Sequence, residues 1–115
     1  MAEAPPTIST HVLDLASGEP AAGVGVSLFR LGGDGAPELL SDLQTDDDGR
    51  IRDLLDGAAL IVGDYQLAFE VAVHDDDPDA FFQSAAFALR ITDASRSYHV
   101  PLLLSPFGMS TYRGS

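Results

Sequence analysis

Strict alternation constrains this chain more than any other feature. From Tyr65 to Val73, the residues Tyr65, Leu67, Phe69, Val71 and Val73 interleave with Gln66, Ala68, Glu70 and Ala72. A period of two puts the first set on one face of an extended strand and the second on the other, a pattern that a helix cannot bury. Shorter runs of the same kind recur, each closed by turn residues. Ile8 to Leu15 ends at Ser17-Gly18-Glu19-Pro20, Val24 to Leu31 at Gly32-Gly33-Asp34-Gly35, and Leu39 to Thr45 at Asp46-Asp47-Asp48-Gly49. Arg50 to Asp53, Phe87 to Ile91, Tyr98 to Leu104 and Ser110 to Ser115 complete eight predicted strands. Asp77-Pro78 offers an N-cap followed by proline at a first helical position, which predicts a turn of helix over 79–82. The expected fold class is all-β, a two-layer β-sandwich of eight strands with one short helix.

A chain of 115 residues fills one domain around one core. It has no cysteine, so a disulfide framework, a thiolate zinc site and a cysteine nucleophile are all excluded. Eighteen acidic residues oppose six basic ones, every one an arginine, for a formal net charge of -12. That charge repels phosphate backbones and anionic lipid surfaces, so neither nucleic acid nor membrane is an expected partner. No apolar run approaches the ~20 residues that span a bilayer. Met1 to Pro6 carries neither the cationic stretch nor the apolar segment of a secretory signal, so the expected location is cytoplasmic.

Three histidines could carry chemistry. His11 lies in the first predicted strand on the face of Ser9 and Leu13, opposite Val12. His99 lies between Tyr98 and Val100, with Pro101 next, and a proline within a strand marks an edge or a bulge. Each has two readings, a packed side chain or a catalytic group, and the hydroxyls beside both favour a shared polar site. His74 precedes Asp75, Asp76 and Asp77, either a metal site or, the preferred reading, a solvated acidic turn. The acidic turn before Arg50 fails as a calcium loop, because aligning Gly49 with the sixth position puts Gln44 first and Leu55 twelfth. Gly18, Gly23 and Gly25 precede no helix, which rules out a dinucleotide fingerprint, and no Gly-x-Ser-x-Gly elbow is present. At the other end, Tyr112, Arg113 and Ser115 set a phenol, a guanidinium and a hydroxyl beside a carboxylate.

Four segments, Ser9-Thr10-His11-Val12-Leu13-Asp14, Asp48-Gly49-Arg50, Tyr98-His99-Val100-Pro101-Leu102-Leu103-Leu104-Ser105-Pro106 and Tyr112-Arg113-Gly114-Ser115, together resemble the transthyretin-like 5-hydroxyisourate hydrolases. The resemblance runs from about Ile8 to the last residue, leaving 1–7 as a short extension and 8–115 as the domain. It implies two four-stranded sheets, a homotetramer with active sites in a channel, and no cofactor. It implies hydrolysis of the small-molecule substrate 5-hydroxyisourate, the unstable product of urate oxidation, to 2-oxo-4-hydroxy-4-carboxy-5-ureidoimidazoline. Carried over by motif, His11, Arg50 and His99 are catalytic, while Tyr112, Arg113, Gly114 and Ser115 bind substrate. One histidine activates water, and Arg50 lowers its pKa and stabilises the developing oxyanion. Two positions depart from the family pattern: Met109 stands where tyrosine is usual, expected near the pocket mouth, and Phe81-Phe82-Gln83-Ser84 replaces Phe-Phe-Pro-Glu. The competing reading is a transthyretin-type small-ligand carrier, a class that shares the fold without keeping both histidines and the tetrapeptide as a set.

Overall fold

The computed structural model describes residues 4–34, 36–72 and 78–114. Ten strands are formed by these residues: β1 (Ile8–Asp14), β2 (Glu19–Pro20), β3 (Gly25–Leu31), β4 (Pro37–Gln44), β5 (Arg50–Ile51), β6 (Gly63–Glu70), β7 (Ala85–Ile91), β8 (Tyr98–His99), β9 (Leu102–Ser105) and β10 (Gly108–Thr111). They make two sheets. One runs β4-β3-β6-β7, antiparallel throughout. The other is organised on β1, which pairs antiparallel with β2 and β5 and parallel with β8 and β9, β10 closing the far side.

The alternation read from the sequence is the alternation of burial. Tyr65, Leu67 and Phe69 of β6 are fully buried, as are Val26 and Leu28 of β3 beside them. Ile8 and Val12 of β1 and Leu102 of β9 meet them from the second sheet in one core cluster. Phe69 packs edge-to-face on Phe87, with ring centroids 6.1 Å apart. Buried Tyr65 keeps its hydroxyl satisfied by donating to the Ile61 carbonyl at 2.7 Å.

Three local expectations are corrected. Pro78 and Asp79 form a turn and Phe81 a bend, so the helix expected over 79–82 is absent; backbone amides of Val71 and Ala72 instead bond the Gln83 carbonyl, pulling this stretch along the end of β6. That strand stops at Glu70, short of Val73. The strand expected from Tyr98 to Leu104 is cut in two at Val100 and Pro101, since proline has no N–H to give a ladder. Side chains brace the break, with Thr10 Oγ1 donating to the Val100 carbonyl at 2.7 Å and Thr111 Oγ1 to the Pro101 carbonyl at 2.8 Å. His74 and Asp75 to Asp77 lie outside the described residues, as does Val73.

Candidate functional site

The outer face of the β1 sheet is assembled by register. Along β1, Ile8, Thr10 and Val12 are buried, so Ser9, His11 and Leu13 point the other way. Residues directly opposite on neighbouring strands share a face. His11 is opposite Arg50 of β5, and Ser9 is opposite His99 of β8. Residues 9, 11, 50 and 99 therefore emerge on one surface, although up to 90 positions separate them in sequence.

Arg50 is set by the acidic turn before it. The Asp46 carboxylate accepts from the amides of Asp48 at 2.9 Å and Arg50 at 3.0 Å, and its other oxygen pairs with Arg52 at 3.1 Å. The Arg50 amide, foremost among these contacts, holds the Asp46 carboxyl below its usual range. Gly49 sits at φ 74°, and its carbonyl accepts from the Val12 amide at 2.8 Å. A Cβ at Gly49 would lie 2.5 Å from the Val12 carbonyl oxygen, so only glycine lets the turn lie this close to β1. The carboxylate of Asp46 is engaged within its own turn.

His99 is held from two sides. Ser9 Oγ lies 2.8 Å from Nδ1. The Gly114 amide donates to the His99 carbonyl at 2.7 Å, forming an antiparallel bridge that lays Gly114 against the imidazole. Burial first, and then the charges of Arg50 and His11, hold the His99 pKa below its ordinary 6.5. Ser9, Thr10, Arg50, Ile51, Arg52 and His99 line an open cavity of ≈ 270 Å³. Two of the chain's six basic residues thus serve one depression on a molecule of net charge -12. Among the described residues, no cluster of His, Asp and Glu is placed to hold a metal ion.

The structure brings His11, Arg50, His99 and Gly114 together. It separates Tyr112 and Arg113, whose side chains line a larger cavity of ≈ 350 Å³ between β7 and the C-terminal segment, with Leu89 and Tyr98. That cavity contains neither histidine nor Arg50, whereas His99 and Arg50 line the smaller one. Ser115 lies outside the described residues. Met109 is opposite Leu104, on the inward side of β10, and packs against the core. Ser9 was not among the residues expected from sequence, although its place two residues before His11 put it on the same face.

Residues 8–114 match the model of the HIUase/Transthyretin family. The chain belongs to that family. A HIUase/Transthyretin relative from Rhizobium meliloti, 5-hydroxyisourate hydrolase 2, is 45% identical over 94% of this chain and 95% of its own. The 5-hydroxyisourate hydrolase of Caulobacter vibrioides is 43% identical over 94% and 97%. Among solved structures, Klebsiella pneumoniae 5-hydroxyisourate hydrolase superposes with a TM-score of 0.81 at 38% identity, over 96% of this chain and 99% of that one. Sea bream transthyretin shares the fold, with a TM-score of 0.85 at 24% identity over 93% of each chain. The all-β sandwich read from the sequence is thus the HIUase/Transthyretin fold.

Proposed function

We propose that this protein hydrolyses 5-hydroxyisourate to 2-oxo-4-hydroxy-4-carboxy-5-ureidoimidazoline. The observation that carries the reading is the register that gathers His11, Arg50 and His99 beside Gly114 on one open face; the hydrolases named above add to it. Substrate sits in the cavity with its cyclic amide carbonyl toward Arg50. His99 takes a proton from water as the water oxygen bonds to the carbonyl carbon, and Arg50 stabilises the oxyanion that forms. The C–N bond then breaks to leave a carboxyl group, and the proton passes to the departing nitrogen. His11, beside Arg50, orients substrate or assists that last transfer. A base must be neutral to act, and the lowered pKa of His99 suits it to the task.

Tyr112, Arg113 and Ser115 enter this reading as groups that complete the pocket in an assembled homotetramer. What supports assembly is the exposure of Leu15 and Phe107 at one end of the site-bearing sheet, 56% and 85% accessible. No helix among the described residues is long and apolar enough to cross a membrane. We assign the protein to the cytoplasm, a location that cell fractionation tests.

The decisive experiment generates 5-hydroxyisourate in situ from urate with uricase and follows its absorbance decay. A decay many-fold faster with the protein than without it is expected. A rate equal to the spontaneous one would sink the hydrolase reading.

A further inference from the structure

Ser9 stands against one of the two ring nitrogens of His99. The two residues face each other across the parallel β1–β8 ladder, and the Val100 amide donates to the Ser9 carbonyl at 2.9 Å, which fixes the Ser9 backbone beside the ring. Its Oγ meets Nδ1 at 2.8 Å. Gly114 approaches the ring at Cδ2: a Cβ there would lie 2.9 Å from Cδ2 and 3.4 Å from Cγ. Among the described residues, Nε2 has no hydrogen-bond partner and forms the other end of the ring.

A serine hydroxyl can donate to Nδ1 or accept from it, so the hydrogen bond alone does not choose the tautomer. The cavity does. Arg50 and Arg52, which line it with His99, carry only donors, and His11 stands next to Arg50. A lone pair on the free nitrogen suits that surrounding better than another N–H. The geometry points to Ser9 as a positioning residue that accepts from the Nδ1 proton and so keeps the Nε2 lone pair of His99 aimed at substrate, with Gly114 as the spacer that leaves the ring in plane. The kinetic part of this inference rests on the hydrolase reading; the tautomer part does not.

The test pairs substrate-free nitrogen-15 NMR of the imidazoles with steady-state kinetics on the full chain. The wild type is expected to show His99 protonated at Nδ1, and Ser9→Ala to shift toward the Nε2-protonated form. Ser9→Ala should lose about tenfold in kcat, the worth of one hydrogen bond, with KM within about twofold. Ser9→Thr keeps a hydroxyl and a good strand former, and should restore both tautomer and kcat. Wild-type protein protonated at Nε2, or Ser9→Ala with wild-type tautomer and kcat, would overturn the inference. If the wild type fails to hydrolyse substrate at all, the hydrolase reading falls, while the spectrum still decides for or against Ser9.

Discussion

At the scale of single residues, the proposed mechanism requires His99 to be neutral when it takes the proton from water. Its pKa lies below 6.5 through burial and the charges of Arg50 and His11, so kcat/KM is expected to rise with pH along a limb whose midpoint lies below 6.5. Replacing Arg50 with glutamine removes the larger of the two charge effects and should move that midpoint upward, leaving it still depressed by burial. A pH–rate profile of wild type and Arg50→Gln checks both the position and the sign. The same shift acts on stability: the unfolded chain binds the proton more readily, so this contribution is present above pH 6.5 and lost as pH falls through the folded value. Removing either imidazole is a harsher test. His11→Ala and His99→Ala should each lose ~10²-fold or more in kcat, while both occupy half-buried outer-face positions where truncation leaves the core untouched. Wild-type turnover in either variant would remove that histidine from the mechanism.

At the scale of elements, the strands were legible because burial on one face writes itself into alternation, as along Tyr65, Leu67 and Phe69. Where local pattern failed, a longer-range bond had prevailed. The Asp77-Pro78 signal is a fair helix start, but the chain beyond it is held as a strap by the Gln83 carbonyl, which no window of neighbours reveals. The two-residue β2 carries too little sequence to announce itself. In the site, each histidine could be placed on a face of its own strand, yet the meeting of Ser9 with His99 and of His11 with Arg50 depends on pairing across the sheet. The turn before Arg50 offers an element-level prediction. Gly49→Ala must accept a left-handed φ and push against the Val12 carbonyl, which costs about 1–3 kcal/mol for the conformation alone. Its denaturation midpoint should fall, and kcat with it, because the displaced turn takes Arg50 off register. The C-terminal segment behaves oppositely. Deleting residues 112–115 removes the exposed side chains of Tyr112 and Arg113 and the Gly114–His99 bridge, none of them part of the buried core, so circular dichroism should stay near wild type while hydrolysis falls steeply.

For the whole molecule, the governing tension is between apolar attraction and like charge. The fold is a slab about 20 Å thick and 40 Å wide, and its site-bearing face ends at Leu15 and Phe107, brought near each other by the Leu15 amide bonding the Leu104 carbonyl at 2.7 Å. Covering such side chains favours association. Each copy brings a charge of -12 to the encounter, which opposes it. Salt acts mainly on the second term, shortening the range of repulsion from ~30 Å at 0.01 M to ~10 Å at 0.1 M. The tetramer fraction at fixed protein concentration is therefore expected to rise between these two conditions, measured by sedimentation velocity. Phe107→Ser should lower it at both, because the lost term is apolar and salt does not restore it. In the proposed tetramer the cavity with Arg50 and His99 faces the enclosed channel, so hydrolysis is expected to track the tetramer fraction across the series. A tetramer fraction unchanged by salt would show that the acidity has no part in assembly, and full activity in a Phe107→Ser monomer would place the complete site within one chain.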